Sequence, residues 1–211
     1  MEKKLDLFGV LSEGIAIGLK NAFSLIGAII LWLLTIWIPY INVGTTIAIC
    51  SIPIALSSGK VISPTFIFDA KYRKYMGEYF SLIGLMLIAI IPAYAFMVVP
   101  GIIIAIGWSL AVYILLDKGV SPSEAMMQSN KATYGYKWTI FGVGFLLAVA
   151  FLILFFIFSK LGSFGFILII LLYLVLLAAE LGCMAVIYRK LVRERDLTQI
   201  AEEARPDLME E

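Results

Sequence analysis

One carboxylate stands where carboxylates are costly. Glu180 is the single charged side chain in the apolar run from Leu161 to Tyr188, and about 14 Å of helix separates it from Arg189. An ionised carboxylate facing hydrocarbon costs several kcal/mol, so Glu180 is expected to face the protein interior or a water-filled cavity, protonated or paired with a donor. Two chemistries then fit it. It locks its helix to a Thr, Ser or Tyr on a neighbour, or it handles a proton or cation along a transport path. Thr45, Thr46 and Ser51 add polarity beside Pro53 and complete a candidate intramembrane polar site with Glu180. Pro53 and Pro92 each read as a kink patched by neighbouring helices or as a broken helix lining a path.

Catalytic chemistry has few carriers here. The chain has no histidine, which removes the commonest general base and the commonest zinc ligand. It shows no glycine-rich phosphate loop, no Gly-x-Ser-x-Gly elbow and no paired aspartates within an apolar run. A non-enzymatic protein without metal or cofactor is expected. Cys50 and Cys183 fall in apolar runs without paired spacing and read as small packing residues.

Two basic clusters remain. Lys71, Arg73 and Lys74 lie among Tyr72, Tyr75 and Tyr79, and Arg189, Lys190, Arg193 and Arg195 follow the last apolar run. Such residues either hold membrane topology or contact anionic lipid headgroups. Nucleic acid is not an expected partner, because the formal net charge is only +1 and the aromatics fall at apolar boundaries. Membrane lipids, other membrane proteins or further copies of the chain are the expected partners.

The elements that position these residues follow from composition. Of the 211 residues 62% are hydrophobic and 15% charged, against about half and about a quarter in soluble domains. No charge occurs between Lys20 and Lys60, nor between Glu78 and Asp117; each stretch is about twice the ~20 residues that one spanning helix needs. Six spans are expected, near 22–40, 43–58, 79–98, 101–117, 138–159 and 164–189. The first twenty residues mix Glu2, Lys3, Lys4, Asp6, Glu13 and Lys20 without a short apolar core, so the first span is expected to persist. All Lys and Arg except Lys160 fall in the N-terminal segment, in 58–78, in 117–137 or from Arg189 onward. The positive-inside rule then places these segments and both termini in the cytoplasm of a prokaryotic cell, with turns near Pro39–Val43, Val98–Gly101 and Lys160–Gly165 outside.

A repeat is visible. Phe23-Ser24-Leu25-Ile26-Gly27 recurs as Phe80-Ser81-Leu82-Ile83-Gly84 and, more weakly, as Trp138-Thr139-Ile140-Phe141-Gly142, while Ser63-Pro64 aligns with Ser121-Pro122 and Gly77 with Gly135. The expected fold is therefore an all-α polytopic membrane helix bundle of about six transmembrane helices in three parallel repeat hairpins, each preceded by a cytoplasmic interfacial helix. Its single membrane domain covers 1–195, with repeat units near 1–58, 59–117 and 118–190, followed by an acidic tail over 196–211. Ser121, Pro122 and Glu124 form a capping box that starts one interfacial helix, and Gly135 ends it. Leu5, Phe8, Leu11, Ile15 and Leu19 make the apolar stripe of another. Ala178, Ala179, Gly182 and Cys183 form a small-residue face suited to close helix packing.

A structural motif runs from Val99-Pro100-Gly101 through Gly107-Trp108-Ser109-Leu110 and Asp117 to Ser121-Pro122, Glu124-Ala125, Ser129 and Gly135-Tyr136-Lys137-Trp138. It resembles the YciC-like membrane proteins and the membrane domain of glycerophosphoryl diester phosphodiesterases. The resemblance is sharpest over roughly 98–142. It implies the membrane fold and no hydrolase, since no soluble segment approaches the ~250 residues of a catalytic barrel. The sequence departs from that group at Gly107, where an arginine is frequent. Two functions fit the whole: a scaffold that binds lipid or a partner, or a small transporter with a path between the repeats past Glu180.

Overall fold

The computed structural model describes residues 5–60 and 62–203. The acidic tail residues Asp207, Glu210 and Glu211, with Pro206, lie outside them, as do Glu2, Lys3 and Lys4. Among the described residues the chain is helical, with no strand.

Helix α1 (Leu7–Lys20) starts at Asp6, whose carboxylate accepts the Gly9 N–H at 2.7 Å. It ends at Asn21, whose side-chain amide donates to the Ile17 carbonyl at 3.0 Å. That side chain takes over a carbonyl the next helical turn would use, and α2 (Ala22–Thr35) leaves at 70°. Helix α3 (Ile41–Cys50) folds back on α2. Trp32 donates to Thr46 at 2.9 Å, and the Thr35 and Thr45 hydroxyls meet at 3.3 Å. Pro53 has no N–H to continue the helix, so α3 breaks at Ser51 and resumes as the short α4 (Ile52–Ser57).

Two 3-10 segments, Pro64–Phe68 and Ala70–Tyr75, lead into α5 (Met76–Phe96), which carries Pro92 without interruption. Then come α6 (Val98–Gly107), α7 (Ala111–Lys118), α8 (Pro122–Thr133), α9 (Lys137–Phe158) and α10 (Gly162–Tyr188). A π-helical turn, Arg189–Arg193, joins α10 to α11 (Glu194–Glu203).

Three stretches are long and apolar enough to cross a membrane: Ala70–Phe96, Val98–Lys118 and the run Lys137–Thr198 that holds α9 and α10. The bent pair α1–α2 would make a fourth. The long run folds back on itself. Gly162, at φ +60°, reverses the chain, and the Phe151 and Tyr173 rings meet at 6.1 Å, so α9 and α10 are antiparallel. Phe156, Phe164 and Phe166 on this hairpin are all more than 60% exposed, a surface water does not tolerate in quantity.

The structure differs from the expectations in three places. Over 22–58, where two full spans are expected, α2 has 14 residues, about 21 Å, and the return is split into pieces of 10 and 6 residues. Moreover, Arg73 lies 5.6 Å above the Tyr40 ring, although the sequence reading puts the Pro39–Val43 turn outside and 58–78 inside. Residues in contact are not separated by ~30 Å of hydrocarbon. Absence of charge shows how much chain avoids water but not whether it runs straight, and Asn21, Ser51 and Pro53 bend it. The stripe on α1 also differs. Phe8 and Leu19 are 73% and 49% exposed, and Val10, Gly14 and Gly18 are the buried face.

The main core joins α1, α7, α8 and α10 through Val10, Leu110, Ile114, Leu115, Ala125 and Tyr188. Between helices in a bilayer such contacts are held by close packing and interhelical hydrogen bonds, not by transfer out of water.

Candidate functional site

The site is built by a close helix crossing. α1 runs antiparallel along the second half of α10 with backbones touching: a methyl group added at Gly14 would lie 2.5 Å from the Cys183 Cα, and one at Gly18 2.3 Å from the Ala178 carbonyl oxygen. The small face Ala178, Ala179, Gly182 and Cys183 thus packs on α1. Its counterpart, Gly14-x-x-x-Gly18, is a readable spacing that the search for apolar stripes passes over.

This crossing brings Glu13 beside the π turn. Glu13 pairs with Arg189 at 2.5 Å and Lys190 at 3.8 Å, and Arg189 also reaches Glu194 at 3.5 Å. Arg193 pairs with Asp117 at 3.6 Å and donates to Ser57 and Ser58. Tyr188 donates to Asp117 at 2.7 Å. Arg189, Lys190 and Arg193, all expected to meet lipid headgroups, therefore join α1, α4, α7 and α11 to α10. The pairs are partly solvated, so each is worth only about 0–1 kcal/mol, and their weight lies in fixing geometry.

A pocket of about 280 Å³ opens beside this network, lined by Lys118, Lys131, Arg195, Asp196 and Gln128 over Ile114, Ala132, Leu191 and Val192. Lys118 is neutralised by Asp196 at 2.7 Å and donates to Gln128 at 3.3 Å. Among the described residues Lys131 and Arg195 have no ion pair, and Arg195 stacks on Tyr136 at 5.6 Å. The π turn aims both Asp196 and Arg195 at the pocket, a use such turns often serve. Sequence reasoning named Arg195 with the basic residues after the last apolar run but missed Lys131, which is distant from them in the chain although it too is a cation bordering an apolar segment.

The motif residues surround this layer. Between α6 and α7 the helix opens at Trp108–Leu110. Ser129 of α8 closes the gap, donating to the Gly107 carbonyl at 2.7 Å and accepting the Leu110 N–H at 3.2 Å, while Thr133 also donates to Gly107 at 3.3 Å. Ser109 donates to Ile106. The Ser121 hydroxyl accepts the Glu124 N–H at 3.4 Å, with Pro122 in the first helical turn. Gly135, at φ +84°, turns the chain into α9, where Trp138 is 85% exposed. Pro100 and Gly101 lie in α6 near the α5–α6 turn, and Gly101 faces the Tyr94 ring with no room for a side chain. Gly107 likewise faces Asn130, to which Lys137 donates at 3.2 Å.

The other basic cluster is separate. Lys71 sits over the Tyr72 ring and pairs with Asp69 at 3.0 Å, Arg73 covers Tyr40, and Lys74 lies 5.6 Å from the Tyr75 ring. The Lys71 backbone N–H and then its ammonium hold the Asp69 carboxyl below the usual carboxylate range.

The candidate polar site is not assembled. Thr45, Thr46 and Ser51 bond within the α2–α3 hairpin and α3, whereas Glu180 is exposed and faces α9. Among the described residues Glu180 has no hydrogen-bond or ion-pair partner and is exposed rather than interior, so of the two expected states, protonated or paired with a donor, the structure shows no pairing. α10 turns its small face to α1, and that choice leaves Glu180 on another side. Among the described residues no group of three or more Cys, Asp or Glu is placed to hold a metal.

Long apolar helices, an exposed apolar hairpin and a polar layer at one end suit a membrane-inserted helical protein. Comparison with protein-family models, with curated proteins and with solved structures finds no match to the chain.

Proposed function

We propose that this chain is a non-enzymatic integral membrane protein that binds anionic phospholipid headgroups at its cytoplasmic layer and organises lipid or a partner there. The observation that supports the reading is the pocket in which Lys131 and Arg195 have no ion pair among the described residues, beside the Lys118–Asp196 pair and above Ile114, Ala132, Leu191 and Val192. Cations over an apolar floor fit an anionic amphiphile, whose phosphate meets the cations while its glycerol and first methylenes cover the floor. On this reading Lys118, Lys131 and Arg195 face the cytoplasm of a prokaryotic cell, and the motif over 98–142 carries the likeness to the YciC-like group.

The test is lipid retention. Protein reconstituted with mixed phosphatidylglycerol and phosphatidylcholine is extracted gently and its bound lipid measured by native mass spectrometry. Phosphatidylglycerol should be enriched, and Lys131→Ala with Arg195→Ala should abolish the enrichment. Equal retention by the double variant would overturn the reading, and displacement by millimolar inorganic phosphate would point to a free anion instead.

A further inference from the structure

We propose that the seam between α9 and α10 binds a lipophilic cation, with Glu180 as its counter-charge. The seam holds a cavity of about 250 Å³ lined by Gly144, Leu147, Ala148 and Phe151 on α9 and by Tyr173, Leu176, Leu177 and Glu180 on α10. These positions step by three and four on both helices, so they are the two facing stripes of the hairpin. In an ordinary hairpin such stripes interlock. Here Gly144 and Ala148 are too small to fill the space, and a methyl group added at Gly144 would meet nothing within 4 Å.

The cavity has a polarity. At one end the Phe151 and Tyr173 rings meet edge to face, 6.1 Å apart. At the other, two helical turns or about 10 Å along α10, stands the Glu180 carboxylate, without a partner among the described residues. An ionised carboxylate in an apolar wall is stabilised by a cation or donor brought to it and otherwise takes up a proton, and ring faces attract cations and pack on aryl or alkyl groups. Among the described residues no cation pairs with it, and α9 between Trp138 and Phe158 and α10 itself carry no Lys or Arg. A small organic cation with an apolar body satisfies all three features: the ammonium or phosphonium centre lies against Glu180, and its arms fill the space over Gly144 and Ala148. The cavity opens sideways, so an amphiphile dissolved in the bilayer reaches it without crossing water. This proposal is independent of the anionic-lipid reading, which uses other residues at the π turn.

The experiment is equilibrium binding of tetraphenylphosphonium to the full chain in neutral detergent. Saturable binding is expected, displaced by an aryl quaternary ammonium and not by neutral triphenylphosphine oxide. Glu180→Gln should weaken it at least tenfold, Glu180→Asp should keep it within a few fold, and Gly144→Leu should abolish it by filling the cavity. Helical circular dichroism and a single elution peak establish that each variant is folded. Absence of saturable binding, or equal binding by Glu180→Gln, overturns the proposal. So does a wild-type oligomer that binds no cation and becomes monomeric on Gly144→Leu, since a second copy would then occupy the seam.

Discussion

The phenol of Tyr188 donates to the carboxylate of Asp117 at 2.7 Å, across 71 residues of chain, and Arg193 approaches the same carboxylate at 3.6 Å. One acid thus ties the end of α7 to the point where α10 becomes a π turn. Tyr188→Phe should cost about 1–2 kcal/mol, because it removes a donor and leaves the ring packing intact. Asp117→Leu should cost more, about 2–3 kcal/mol, since it strands the buried phenol and removes one partner of Arg193, which keeps Ser57 and Ser58. Thermal unfolding in detergent checks both. If the double variant costs the sum of the singles, the two residues are not coupled.

The α1–α10 crossing should tolerate no side chain. Gly14→Leu or Gly18→Leu drives a carbon into the α10 backbone, so loss of stability by 3 kcal/mol or more is expected, with protease access to α1. Gly144→Ala, whose methyl group meets open space, should leave the unfolding midpoint nearly unchanged.

Ser129 and Thr133 serve the same carbonyl unequally. Ser129→Ala leaves the buried Leu110 N–H without its partner and weakens Gly107, so a loss of about 1–3 kcal/mol is expected. Thr133→Val should cost about 1 kcal/mol or less, because Ser129 still serves Gly107. A larger loss in the valine variant would reverse this assignment.

Tyr40 and Arg73 should be reached from one side of the membrane. With Cys50 and Cys183 replaced by alanine, single cysteines at positions 40 and 73 should label with an impermeant maleimide from the same face. Labelling from opposite faces would show that the contact at 5.6 Å is absent in the bilayer.

Part of this organisation is legible in the chain alone. Freedom from charge between Lys20 and Lys60, between Glu78 and Asp117 and across α9 and α10 determines that the protein is helical and built for an apolar solvent, since such lengths bury no soluble core. Local chemistry also determines its own boundaries: Ser121 caps α8, Gly135 turns the chain into α9, and Pro53 separates α3 from α4. These features act over a few residues, so a sequence displays them. Which side chains meet is decided by tertiary packing. The approach of α1 to α10 through Gly14, Gly18 and Gly182 sets the rotation of α10. That rotation turns Arg189 to Glu13, brings Tyr188 to Asp117 and leaves Glu180 facing the α9 seam. A helix has several faces and one sequence, and the backbone contact between distant glycines selects among them.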